Sequence, residues 1–329
     1  MARVKKRAAA MAAADVMWVM LLMEMMGLSG SFRFGVGVDG VRMDYYLMSC
    51  PFAEQIVMNT VTSALQSDPT LAAGLLRMHF HDCFIQGCDG SVLIDSTKDN
   101  TAEKDSPANL SLRGYQVIDD AKEQIEEQCP GVVSCADILA MAARDAVFLA
   151  GGPRYEIPKG RKDGSRSRIE DTINLPAPTF NASELIRIFG QHGFSAKEMV
   201  ALSGAHTLGV ARCSSFKQRL RNSDPTLDSG FAQTLSKTCS AGDTAEQPFD
   251  ATRNAFDNAY YNALVKRAGV LTSDQTLFAS AQTRGTVSGY AMNQAMFFFD
   301  FQQAMLKMSL LDVKEGSTGE VRLNCRKIN

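Results

Sequence analysis

The sequence predicts an all-α protein. Apolar residues recur at helical spacing in several stretches, helix start signals open three of them, and alternating strand patterns are scarce. Phe52, Ile56, Val57, Val61 and Leu65 mark a first helix, which Ser67-Asp68-Pro69 stops. A second helix is predicted over residues 71–81, and Val117, Ile118, Ala121 and Ile125 mark a third. Ser134 with Asp137 reads as a capping box opening a helix that runs to residue 149, where Gly151-Gly152-Pro153 ends it. Asn181 with Glu184, and Ser195 with Glu198, repeat that start signal. A long helix is predicted near residues 287–310, carrying the apolar cluster 296–299. Asn174-Leu175-Pro176-Ala177-Pro178-Thr179 cannot continue a helix, because proline lacks the amide donor. It divides an amino-terminal lobe, 41–175, from a carboxy-terminal lobe, 176–329.

The 329 residues suffice for one large domain or two lobes sharing a core. With 45% hydrophobic and 21% charged residues the balance is that of a soluble globular chain, which excludes disorder and a fibre. A net charge of −2 without a long basic run in the body argues against a nucleic-acid partner. The first stretch differs: Arg3, Lys5, Lys6 and Arg7, then an apolar run over 16–23, then small residues over 27–30. This reads as a secretory signal peptide over 1–30, with Asp15 and Glu24 leaving the cleavage point open. The run is too short for a membrane span, which needs about 20 apolar residues. All eight cysteines follow it, an even set that suggests four disulfides formed in an oxidising compartment. Spacing alone leaves their pairing open.

Only four histidines occur: His79, His81, His192 and His206. Arg77 and His81 are four apart on a predicted helix and share a face. A fixed cation beside a proton shuttle is what peroxide heterolysis needs. The imidazole moves a proton between oxygens, and the guanidinium stabilises charge on the departing one. His79 points elsewhere and reads as structural. His206, among small and apolar residues, taken alone reads as a core histidine; the wider pattern of the chain overturns that. A zinc hydrolase using His79, His81, Cys83 and Cys88 is the competing enzyme, but it leaves Arg77 and the His206 segment unexplained. A secreted, non-catalytic module that keeps the fold but has lost activity is the non-enzyme alternative.

"RMHFHDCF" and "ALSGAHTLG" resemble the distal and proximal motifs of the secretory plant peroxidases (class III). "GCDGSVLI", "EKDSPANLSLRG", "VSCADILAMAARDAV", "GGPRY", "GRKDG", "NLPAP", "FDNAYYNAL", "GVLTSDQTLF" and "GEVRLNCRKIN" follow in the family's order, so the resemblance covers residues 41–329. It implies the haem-dependent peroxidase fold: haem b between two helical lobes, with the carboxy-terminal segment tied back to the first. Arg77 and His81 would lie on the peroxide side, with Asn109 setting the His81 tautomer. His206 would ligate the iron and Asp274 would accept its other ring proton. Phe80 would pack over the haem, and Pro176 would lie at the mouth of the reductant channel.

The resemblance also implies two calcium ions, hard cations that take oxygen ligands. Asp82, Ile85, Gly87, Asp89 and Ser91 match the distal site. Thr207, Thr252, Ala255 and Asp257 match the proximal one, with Asp250 as a further candidate. Asp250 lies one residue closer to Thr252 than is usual, and Arg253 stands where Pro is common. Tyr155 replaces the usual Trp, leaving Trp18 as the sole tryptophan. Arg212, at a position that varies among members, is a candidate partner of a haem propionate. The implied disulfides are Cys50–Cys129, Cys83–Cys88, Cys135–Cys325 and Cys213–Cys239. Of the sequons at Asn109 and Asn181, only Asn181 is expected to carry sugar, because Asn109 should be buried beside His81. The expected partners are hydrogen peroxide and small aromatic reductants, for a monomer secreted to the cell wall or vacuole.

Overall fold

A computed structural model describes residues 40–221 and 224–329, so the expected leader and Trp18 lie outside the described residues. The all-α expectation holds. Helix α1 (Ala53–Ser67) buries Ala53, Val57 and Val61; of the other residues that mark it in the sequence, Ile56 and Leu65 are half-buried and Phe52, just before the first turn, is exposed. Helix α2 (Leu71–Gln86) runs five residues past its predicted end at His81. It continues through Asp82, whose carboxylate turns inward and accepts the Gly90 and Val92 amides, at 3.0 and 3.4 Å. The true stop is Gly87, whose φ of 93° lies in the left-handed region, where a Cβ would come within 2.5 Å of the Asp312 carbonyl oxygen.

Helix α3 (Tyr115–Gln128) follows, then α4 (Cys135–Leu149), which is buried from Cys135 to Val147. Its many alanines let α1 and α2 pack against it. Ser134 caps α4 by accepting the Asp137 amide at 3.1 Å, but the other half of the capping box is absent. The Asp137 carboxylate instead binds Tyr46, Gly160 and the buried Arg161.

Both reciprocal capping boxes expected downstream do form, on α5 (Ala182–Gln191) and α6 (Ala196–Ser203). A short two-stranded antiparallel sheet, β1 (Val210–Arg212) with β2 (Glu246–Pro248), is the strand content that sequence periodicity did not reveal. Around it lie α7 (Gln218–Arg221) and α8 (Ser229–Cys239). Helices α9 (Ala259–Val265) and α10 (Thr272–Ala279) precede α11 (Ala281–Met292) and α12 (Gln294–Met308). The long helix expected over 287–310 is therefore two. Asn293 leaves helical geometry, with φ −141° and ψ 95°, and its Oδ1 accepts the Met296 amide at 3.0 Å as a new N-cap.

The eight cysteines form Cys50–Cys129, Cys83–Cys88, Cys135–Cys325 and Cys213–Cys239, the pairs the resemblance implies. The carboxy-terminal segment lies back against the first half of the chain. Asp163 accepts the amides of Cys135, Ala136 and Arg322, and Arg322 reaches the Gly90 carbonyl at 2.6 Å. Among the described residues no helix is long and apolar enough to cross a membrane.

Candidate active site

Helix α2 sets the first face of the site. Arg77 Nε donates to His81 Nε2 at 3.2 Å, so the two do share a side. The other ring nitrogen, Nδ1, lies 2.5 Å from Asn109 Oδ1. An amide oxygen only accepts, so Nδ1 carries the proton and Nε2 keeps its lone pair. Asn109 is fixed in turn by its Nδ2, which donates to the Glu103 carbonyl at 2.8 Å. Arg77 is held by Ser111 Oγ at 2.8 Å and the Ala108 carbonyl at 2.7 Å. Burial and the Arg77 cation lower the His81 pKa to about 3, against the opposing pull of Asn109. His81 is thus a neutral base beside a permanent cation.

The second face is built by the short turn Gly204–Thr207 at the end of α6. Gly204 is required there, since a Cβ would come within 2.5 Å of the Phe297 ring. His206 Nδ1 lies 2.7 Å from Asp274 Oδ1. The buried Asp274 carboxylate also accepts from Tyr260 Oη at 3.0 Å and from the Leu271 amide at 2.9 Å. The His206 ring stacks on Phe249, centroids 4.4 Å apart and planes at 3°. Its Nε2 lone pair is therefore aimed away from Asp274, and the side chain is 39% exposed although Leu202, Gly204, Thr207 and Leu208 around it are buried. An imidazole with a fixed tautomer, uncovered in apolar surroundings, fits an axial haem ligand.

Two oxygen-rich clusters adjoin these histidines. Asp82, Asp89, Ser91 and Glu103 are all buried, and Glu103 Oε1 has no hydrogen-bond partner among the described residues. Burial and the neighbouring Asp82 and Asp89 raise Glu103 to about 9, while burial and Asp89 push Asp82 far above the carboxylate range. Buried carboxylates crowded this way fit a hard cation. Ile85 lies in the last turn of α2, and Gly87 is its C-cap. On the other side Thr207 Oγ1 donates to Asp250 at 2.7 Å and lies 3.2 Å from Asp257, and Thr252 Oγ1 lies 3.1 Å from each of the same carboxylates. The structure thus brings Asp250 into the group despite its shortened spacing. Ala255 is exposed and joined to it through its amide, which donates to the Thr252 carbonyl at 2.7 Å.

A family model described as Peroxidase matches residues 57–293. Peroxidase 47 of Arabidopsis thaliana is 70% identical over 327 residues, which cover 99% of each chain. Peroxidase 66 and Peroxidase 64 of the same plant are 49% and 50% identical, covering 87% and 90% of this chain and 91% and 96% of their own. The chain belongs to the peroxidase family. It is a haem peroxidase of the secretory plant type, and the histidine faces described above lie in the two motifs that carry the resemblance.

In this peroxidase Phe80 is half-buried against Phe84, ring centroids 4.3 Å apart. Pro176 is half-buried just after the turn Ile169–Asn174, which packs on α2. Asn181 is exposed at the start of α5, whereas Asn109 is buried. Arg212 is exposed on β1, and Tyr155 is buried. The zinc hydrolase is excluded: Cys83 and Cys88 are joined to each other, and His81 is engaged by Arg77 and Asn109. Sequence reasoning missed Ser111, Tyr260 and Phe249, which hold Arg77, Asp274 and His206. Tyr260 stood inside "FDNAYYNAL" and Ser111 inside a sequon, but no local signal linked either to its partner.

Proposed function

We propose that this haem peroxidase reduces hydrogen peroxide using Arg77, His81 and Asn109 on one face and His206 with Asp274 on the other. The observation that carries the reading is the matched commitment of two imidazoles. Each donates its Nδ1 hydrogen to a side-chain oxygen, which makes Nε2 the basic atom; His81 Nε2 accepts from Arg77 Nε, and His206 Nε2 is turned away from Asp274. When bound, haem supplies the redox iron at which peroxide is cleaved and from which donors are oxidised in one-electron steps. His206 Nε2 would hold that iron, with Asp274 strengthening the imidazole as a donor, and Phe80 would pack over the macrocycle. His81 Nε2 takes a proton from one peroxide oxygen and returns it to the other. Arg77 sets its cation against the negative charge on the departing oxygen. Over a full cycle two donors give two electrons and two protons, and one peroxide becomes two waters.

Small phenolic donors would approach past Pro176, between lobes 41–175 and 176–329. Two calcium ions would occupy the clusters at Asp82, Ile85, Gly87, Asp89 and Ser91 and at Thr207, Asp250, Thr252, Ala255 and Asp257. The disulfide set supports export to an oxidising compartment, and the protein would reside in the cell wall or vacuole as a monomer with sugar on the exposed Asn181. Stopped-flow mixing of haem-loaded protein with peroxide tests the assignment. His81→Ala should keep its Soret band yet slow the peroxide-induced spectral shift by about 10²–10⁴. Arg77→Leu should slow it as well. A near wild-type rate for His81→Ala would overturn the proposal.

A further inference from the structure

One buried group of metal-binding side chains has no part in the peroxide chemistry. His79 precedes Cys83 by four residues on α2, so both project from one face, and Cys88 joins them through the turn at Gly87. One ligand atom from each of His79, Cys83 and Cys88 lies within 4.8 Å of the others. All three residues are buried, and His79 is only 1% exposed. Neither of its ring nitrogens has a hydrogen-bond partner among the described residues, a costly state for a buried polar group. In the oxidised protein both sulfurs are consumed in the Cys83–Cys88 bond, so no metal can bind.

We propose that reduction of Cys83–Cys88 creates a buried site for a thiophilic divalent cation such as zinc, with His79, Cys83 and Cys88 as ligands, and that metal capture holds the pair open. A dithiol reductant delivers two electrons and two protons to the disulfide and leaves as its own cyclic disulfide. Zinc then displaces both thiol protons, giving two thiolates and a neutral imidazole around a dication. The net charge of that group is zero, which suits a site removed from water. Three protein ligands leave the fourth tetrahedral position open. The loop carrying Asp89 and Ser91 is then tethered by the metal instead of the sulfur–sulfur bond, and zinc opposes the last step of its closure.

The test uses the full-length, haem-loaded protein, dithiothreitol and zinc chloride, followed by desalting and metal analysis. Reduced wild type should retain one zinc more than oxidised wild type, and more by the same amount than reduced His79→Leu or Cys88→Ala. Zinc should slow re-formation of Cys83–Cys88 severalfold in peptide maps, while Cys213–Cys239 closes at its usual rate. Because a buried substitution can fail to fold, X-ray absorption at the zinc edge of reduced wild type decides independently. Sulfur together with imidazole nitrogen around the zinc supports the site. A sulfur-only shell, equal zinc in His79→Leu, or no additional zinc overturns it.

Discussion

His79 and His81 lie two residues apart on α2 and resist protonation for related reasons. Burial and then Arg77 hold His81 at about 3, and burial and then Arg161 do the same to His79. The unfolded chain takes up these protons below its ordinary value of 6.5, whereas the folded one does not. The two groups therefore leave stability intact above that value and remove it as pH falls toward about 3, by about 1.4 kcal/mol per pH unit for each histidine. His79→Leu should flatten the acid side of the stability profile, measured as denaturant midpoints between about pH 3 and 7. An unchanged slope would show that His79 is not held neutral by the fold. Arg77, His81 and His206 were legible in the sequence because helical spacing and motif context speak for them. Ser111 was not, because its tie to Arg77 joins positions 34 residues apart.

Among the elements, the stretch from the end of α2 to Glu103 is the most revealing. Without a cation, Asp82 and Glu103 keep protons that the unfolded chain has already lost. The folded state then binds more protons, so stability must fall as pH rises from the ordinary carboxylate range toward about 9. A bound calcium ion replaces those protons and removes the penalty. Calcium should therefore stabilise chelator-treated protein more at about pH 8 than at about pH 5, by about 1.4 kcal/mol per pH unit for each carboxyl, and magnesium should not substitute. Equal stabilisation at both values in thermal unfolding would remove the distal ion from the proposal. The extension of α2 through Gln86 escaped sequence reading because the inward turn of Asp82 onto the Gly90 and Val92 amides is a tertiary contact with no local signal. The break at Asn293 escaped it because apolar periodicity continues across a cap that only geometry exposes.

At the scale of the whole molecule, Cys135–Cys325 joins the start of α4 to the carboxy-terminal segment across 190 residues, whereas Cys213–Cys239 spans 26. Loop-closure entropy makes the longer link the more stabilising by about 2 kcal/mol. Denaturant unfolding of paired Cys→Ser variants should rank them in that order. A smaller loss for the Cys135–Cys325 pair would mean that Asp163 and Arg322 already anchor that segment without the sulfur bond.

From the sequence alone came the helical class, the even disulfide set, the Arg77–His81 face and the membership carried by ordered motifs. These are readable because they rest on local spacing or on the identity of a few residues. Tertiary structure decided what local spacing cannot encode: which carbonyl, hydroxyl or ring meets each functional side chain. Phe249 lies under His206, Tyr260 and Leu271 hold Asp274, and Glu103 both anchors Asn109 through its carbonyl and crowds Asp82 with its carboxylate. Each of those contacts positions a functional side chain by direct approach in space, and a hydrogen bond or a stacked ring depends on distances that chain order does not contain.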